Sequence, residues 1–187
     1  MGLSRQASSD VSPRLIIIGL AGALTALGIG AYGKVHDPSG ESIFTLFFTA
    51  TLNMKAWLAT AAAALGLFQL LSALRMYGKI NIPRSTPSWL GTVHRVTGAA
   101  AFLLTIPVAY HCLWSLGFQQ NGTRQTLHSL AGCFFYGAFV SKIVAVNSKK
   151  LPGWVLPVVG GTLFAALMVV WLTSALWFFR TVGFPEI

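Results

Sequence analysis

Long apolar runs broken by short polar connections constrain this chain more than any other feature. Five runs reach the roughly 20 residues a helix needs to cross a bilayer: residues 14–33, 54–78, 88–117, 125–146 and 154–179. None of them contains an Asp or a Glu. Only 9% of the 187 residues are charged, against roughly a quarter in a soluble domain, so no length remains for a sizeable soluble domain. The expectation is an all-α integral membrane protein of five transmembrane helices. A polar tail covers residues 1–13, the bundle 14–180 and a short outer tail 181–187. The first run follows Arg5 and Arg14 as a secretory signal would, but we expect a true span.

The breaks carry turn residues: Asp37-Pro38 with Gly40, and Pro83 with Pro87, where a helix cannot continue. Residues 43–53 are apolar and aromatic but too short to span, and are expected at the interface or leading into the second helix. Gly19, Gly22, Ala26 and Gly30 recur at three- or four-residue spacing, which lets another helix approach closely. Gly66, among the alanines of the second run, has the same role, and Gln69 is that run's one strongly polar member. Pro107 is expected to kink the third helix. Asn121-Gly122-Thr123 matches a glycosylation sequon, a pattern frequent by chance.

The formal net charge is +9, but the basic residues sit at the ends of apolar runs rather than on a face interleaved with aromatics. They therefore set topology and do not indicate nucleic acid. With the N-terminus cytoplasmic and the C-terminus outside, the inner set is Arg5, Arg14, Arg75, Lys79, Arg84, Arg95, Lys142, Lys149 and Lys150. The outer set is Lys34, Lys55, Arg124 and Arg180, an excess of nine to four. Cys112 and Cys133 are too few for a disulfide framework and do not converge with the histidines into a closed zinc site.

Three of the four histidines lie within apolar runs: His94, His111 and His128. An imidazole at membrane depth is expensive and points to function, and imidazoles on facing helices are common axial ligands of haem. In the five-helix topology His111 and His128 fall at similar depth near the outer ends of adjacent antiparallel helices, as one bis-histidine haem b requires. His94 lies near the inner end. His94 and His111 are 17 positions apart, which at about 100° per residue leaves them roughly 100° apart around a straight helix. A two-haem stack therefore needs the Pro107 kink and an inner partner for His94. Met76 could supply a His/Met pair. Alternatively His94 binds a propionate, or a quinone oxygen together with Arg95. His128 and Lys142 are 14 apart and share a face, so Lys142 can pair with a propionate. Gly98 and Gly132 each follow a histidine by four residues; they leave room for a porphyrin plane or serve helix packing. His36, beside Asp37, either caps the outer haem or is a solvated loop residue. Two further roles are open to the membrane histidines: hydrogen bonding between helices, and translocation of a proton, metal or solute. The absence of acids from the spans disfavours translocation.

The strings G-K-V-H-D-P-S-G, K-A-W-L-A-T, T-V-H-R-V-T-G-A-A-A-F-L-L-T-I-P-V-A-Y-H-C-L-W-S-L-G-F, H-S-L-A-G-C-F-F-Y-G-A-F and L-P-G-W-V-L-P resemble a family of small actinobacterial membrane proteins of unknown function. The resemblance covers most of residues 30–180 and implies a multi-pass protein of the bacterial plasma membrane. More loosely, the H-R-x-x-G opening of the third run is similar to membrane cytochromes of the b561 and ferric-reductase type. Those hold haem b between helices and carry electrons across the bilayer. They have two histidines on each of two helices, whereas the fourth run here has His128 alone.

The expected function is therefore that of an electron-transferring haem b protein, a cytochrome rather than a stand-alone enzyme. Its partners would be membrane lipid, other subunits of a respiratory redox assembly, an exported electron carrier or a quinone. The alternative is a non-catalytic structural subunit of a membrane complex, and after it a small transporter. No nucleotide-binding fingerprint is present.

Overall fold

A computed structural model describes residues 2–80 and 85–184, with side chains from Pro13 onward. Pro83, Arg84 and the Arg5 side chain, used above for turns and topology, lie outside the described residues. The described residues are helical, with no strand. The helices are α1 (Gly2–Val35), α2 (Thr51–Met76), α3 (Leu90–His111, continued by a π-helical turn Cys112–Leu116), α4 (Thr123–Asn147), α5 (Val155–Thr173) and α6 (Ala175–Thr181). Five stretches are long and apolar enough to cross a membrane: Pro13–Val35, Thr51–Met76, Leu90–Leu116, Thr123–Asn147 and Val155–Thr181. They coincide with the five apolar runs to within a few residues, since span length and turn residues dictate both ends. Leu24, Leu27 and Leu103 are exposed, as a lipid-facing surface requires.

Two details differ from the sequence expectation. The helix of the first span already begins at Gly2 and contains Pro13, so residues 2–12 extend it. The last crossing is broken at Ser174. There α6 turns onto α2, where Ala175 and Phe178 bury against Ala56.

Backbone packing runs α1 on α4, α4 on α5, α5 on α2 and α2 on α3, and the π-helical end of α3 returns to α1. The contacts close into a circuit. The short connection between α3 and α4 leads one to expect tight packing of that pair. They meet instead through side chains: Tyr136 Oη bonds the backbone oxygen and the hydroxyl of Thr105 at 3.1 and 2.9 Å, and Phe102 stacks on Phe139 at 3.7 Å. Large aromatics hold these backbones apart, and a cavity fills the space beside them.

Residues 36–50 fold over one end of the bundle, here called upper. Ser39 and Gly40 donate their backbone N–H groups to the carbonyls of Trp114 and Ser115, at 3.3 and 3.0 Å. Ser115 Oγ donates to Glu41 O at 2.6 Å. The two backbone bonds satisfy carbonyls that a helix end leaves without partners. Gly117 then breaks the helix at φ +65°, and a Cβ there would stand 3.0 Å from Gly33 O. Phe44 and Phe48 pack with Met54, Leu58, Leu104 and Val108, so the short aromatic run covers the α2–α3 seam.

The closest backbone approach joins α1 to α4. A Cβ on Gly137 would meet Gly22 O at 2.5 Å and Ala26 Cβ at 2.9 Å, and Ser141 Oγ donates to Ile18 O at 2.9 Å. Gly22 and Ala26 are thus packing residues, as their spacing suggests, whereas nothing lies within 4 Å of a Cβ on Gly19. Replacing Gly137 with Val should destabilise the bundle by about 1–3 kcal/mol through overpacking. Gly19→Ala should stay within about 0.5 kcal/mol of wild type. Thermal unfolding in detergent measures both, and equal effects would refute this account of the α1–α4 contact.

Candidate functional site

A cavity of ≈ 320 Å³ occupies the upper half of the bundle, within the roughly 300–1,000 Å³ usual for small-molecule and cofactor sites. Its walls come from every crossing helix and are mostly apolar, with Val108, Phe135, Leu167, Val170 and Phe178 among them. Its polar lining includes Lys55, Cys112, Arg124 and His128. Lys55 stands near the start of α2 and Arg124 near the start of α4, so both cations sit toward the upper end. Arg124 Nη1 donates to Thr173 O at 2.7 Å, and its guanidinium lies 3.8 Å above the Trp177 ring.

His128 is anchored through one ring nitrogen. Its Nδ1 lies 3.1 Å from Thr173 Oγ1, and that hydroxyl donates its single proton to Val169 O at 2.7 Å. With the hydroxyl proton on that carbonyl, the Thr173 oxygen is placed to accept from the ring at Nδ1. This is the arrangement by which outer-shell partners orient a ligating imidazole. Beside it, Gly132 lines the cavity, and no atom lies within 4 Å of where its Cβ would be. The space expected from the sequence is present there.

His111 takes a different place. It is buried, 7% exposed, with neither ring nitrogen hydrogen-bonded, and it lies within electrostatic range of Lys55. It is not among the cavity-lining residues; its neighbour Cys112 is, as are His128 and Lys55. The pairing expected from the sequence is His111 with His128, whereas Cys112, not His111, lines the cavity together with His128.

His94 belongs to another neighbourhood, in the lower half. Its Nδ1 is 2.7 Å from Ser72 Oγ, which donates to Phe68 O at 2.7 Å, so this hydroxyl too is placed to accept from the ring. Gln69 Nε2 donates to His94 O and to Thr97 Oγ1, both at 2.7 Å. The space over Gly98 is filled by this Gln69 amide, whose Oε1 would lie 2.8 Å from an added Cβ. Gly98 therefore serves helix packing and leaves no slot for a porphyrin. Met76 is exposed at the end of α2, and Ser72, one turn earlier, occupies the position facing His94. Arg95 is exposed and bonds Thr92 Oγ1 at 3.4 Å. Lys142 lies within electrostatic range of His94. His36 stacks between Tyr32 and Trp114, at 5.0 and 4.8 Å between centroids, with Nε2 3.2 Å from Trp114 O. It pins the loop to α3.

Among the described residues no group of three or more His, Cys, Asp or Glu is arranged to hold a metal ion. The three membrane histidines do not converge. Sequence reasoning misses Lys55, Arg124 and Thr173 as parts of the site. Thr173 carries a signal, as one of the few hydroxyls in the last apolar run; Lys55 and Arg124 read as topology determinants alone.

The chain belongs to the family of unknown function DUF6529, whose model matches residues 15–186. No curated protein and no solved structure matches it, and the looser resemblance to b561-type cytochromes gains no support from these comparisons.

The His94–Ser72 bond should stabilise the α2–α3 pair by about 0.6 kcal/mol, with about 1.7 as an upper bound for such membrane bonds. Ser72→Ala and His94→Ala should each lower stability in detergent, and the double variant should lose less than the sum. Full additivity in that cycle would show that the two side chains are not coupled.

Proposed function

We propose that this member of the family is a bacterial plasma-membrane protein that holds one haem b in the upper cavity and transfers electrons. It would act as a subunit or partner of a larger redox assembly. The observation that carries this reading is His128: an imidazole anchored at Nδ1 by Thr173, on the wall of a cofactor-sized, mostly apolar cavity. The excess of basic residues at the lower end supports an orientation with the N-terminus cytoplasmic and the C-terminus outside, which places the cavity toward the outer face.

The residues present fit a haem in kind. His128 would supply a ring nitrogen to the iron, and Thr173 would hold the ring's orientation. Lys55 and Arg124 place two cations at the upper end, suited to propionate carboxylates. They replace Lys142, the partner suggested by the helical wheel, because Lys142 lies in the lower half with His94. The mostly apolar walls, with the ligand set, would tune the potential of a bound haem. When bound, the haem would supply the one-electron chemistry. His94 favours a second reading, a non-catalytic structural subunit, because its ring ties α3 to α2.

The protein purified in detergent should show a reduced-minus-oxidised difference spectrum with the α-band of haem b. His128→Ala should abolish or reshape that band, and His36→Ala should leave it unchanged. No band in the wild-type protein, before or after incubation with haemin, would falsify the haem reading and leave the structural one.

A further inference from the structure

We propose that the lower end of the bundle, where α1, α4 and α5 meet, is a docking surface for the phosphate headgroup of an anionic membrane phospholipid. This surface is separate from the upper cavity and holds whether or not a haem is bound there. Ile18, Ala145 and Val155 draw the three helices together, with Leu15 and Leu151 packed against them. The same convergence gathers three cations. Arg14 directly precedes Leu15, and Lys149 and Lys150 directly precede Leu151. Arg14 Nη1 donates to the backbone oxygen of Lys149, which ties the start of the first crossing to the α4–α5 connection. The rest of the guanidinium fork remains for an anion, and both lysines are exposed.

The protein supplies little to balance this charge. The lower end carries seven of the described basic side chains, whereas the described acids, Asp37 and Glu41, lie at the upper end. Cations of the upper end are engaged within the chain: Lys34 donates to Gln120 Oε1 at 2.9 Å, and Arg124 to Thr173 O at 2.7 Å. Like charges gathered in one place repel one another unless an anion joins them.

The surroundings decide which anion fits. Ile16, Ile17 and Val158, on the flanking helices, are each more than half exposed. Apolar surface therefore begins within a turn of the cations. Trp154 is 57% exposed beside Lys149 and Lys150, and an indole is suited to the boundary between headgroups and acyl chains. A rim of cations over an apolar flank matches an amphiphile, with its phosphodiester on Arg14, Lys149 and Lys150 and its acyl chains along the helices. Free phosphate would meet the cations and leave the flank unused. Basic surfaces between helices at a membrane face recognise anionic headgroups by this combination.

The test uses the full chain in detergent, mixed with phosphatidylglycerol and phosphatidylcholine of the same acyl chains at equal concentration. Native mass spectrometry counts the lipids retained. Wild type should retain phosphatidylglycerol in preference. Each cation near an anionic lipid contributes about fivefold. Replacing both Lys149→Gln and Lys150→Gln should therefore lower the preference about tenfold or more, and Lys34→Gln, at the upper end, should leave it unchanged. Because both lysines are exposed, the double variant should unfold at the wild-type temperature in phosphatidylcholine micelles. Equal retention of the two lipids by wild type would overturn the proposal whatever the variants do. A preference that survives the loss of both lysines, or falls as far in Lys34→Gln, would overturn it too. Loss of the preference in millimolar inorganic phosphate would assign the site to the free anion and overturn the lipid assignment.

Discussion

The bundle depends on one recurring hydrogen-bond device. A Ser or Thr hydroxyl spends its proton on a carbonyl of its own helix, and its oxygen is then left as an acceptor for a donor on a neighbouring helix. Ser72 bonds Phe68 O and accepts from His94. Thr173 bonds Val169 O and accepts from His128. Thr60 bonds Ala56 O and accepts from Trp171 Nε1, and Thr97 bonds Val93 O and accepts from Gln69. Thr105 bonds Phe102 O and meets Tyr136. In apolar surroundings a ring N–H or amide without a partner is costly, so each pairing fixes which helices are neighbours and which way the donor points. The same bonds orient two imidazole rings, which ties the site's geometry to the scaffold.

His111 and Lys55 are among the groups that depart from that pattern. His111 is buried with no bond to either nitrogen, and Lys55 brings an ammonium to a mostly apolar cavity in a chain with no acid in its spans. Where most polar atoms are satisfied, a buried group that is not, or a charge in apolar surroundings, needs a specific cause. On the haem reading Lys55 has one, as a counter-charge for an anionic ligand.

Span positions are legible in the sequence because bilayer thickness and proline or glycine breaks are local signals. So is the packing role of Gly22 and Ala26, which follows from spacing. The order of helices around the bundle is not, because it depends on matching donors and acceptors across helices far apart in sequence. Trp171 and Thr60 are 111 positions apart, and no periodicity in either segment announces the other. The wheel places His111 beside His128 by depth, treating α3 and α4 as antiparallel. It cannot choose between His111 and Cys112, because the phase of a helix end is set by what it packs against. Gly98 and Gly132 look alike in sequence, each four residues after a histidine. They differ because Gln69, on another helix, fills the space over one and nothing fills the space over the other.

The phase of α3 separates the proposed one-haem protein from a transmembrane relay. A relay needs a second ligand pair in the lower half. There His94 has its Nδ1 bound to Ser72, Gln69 fills the space over Gly98, and Met76 is exposed at the helix end. Freeing a slot beside His94 would break the bonds that join α2 to α3, the same pair whose upper seam carries the loop that pins the upper end of α3. The lower polar cluster thus supports the upper site by fixing its scaffold. On the haem reading, electrons enter and leave through the half of the bundle that contains Lys55, Arg124 and His128, so donor and acceptor must both approach from the outer face or from within the outer leaflet.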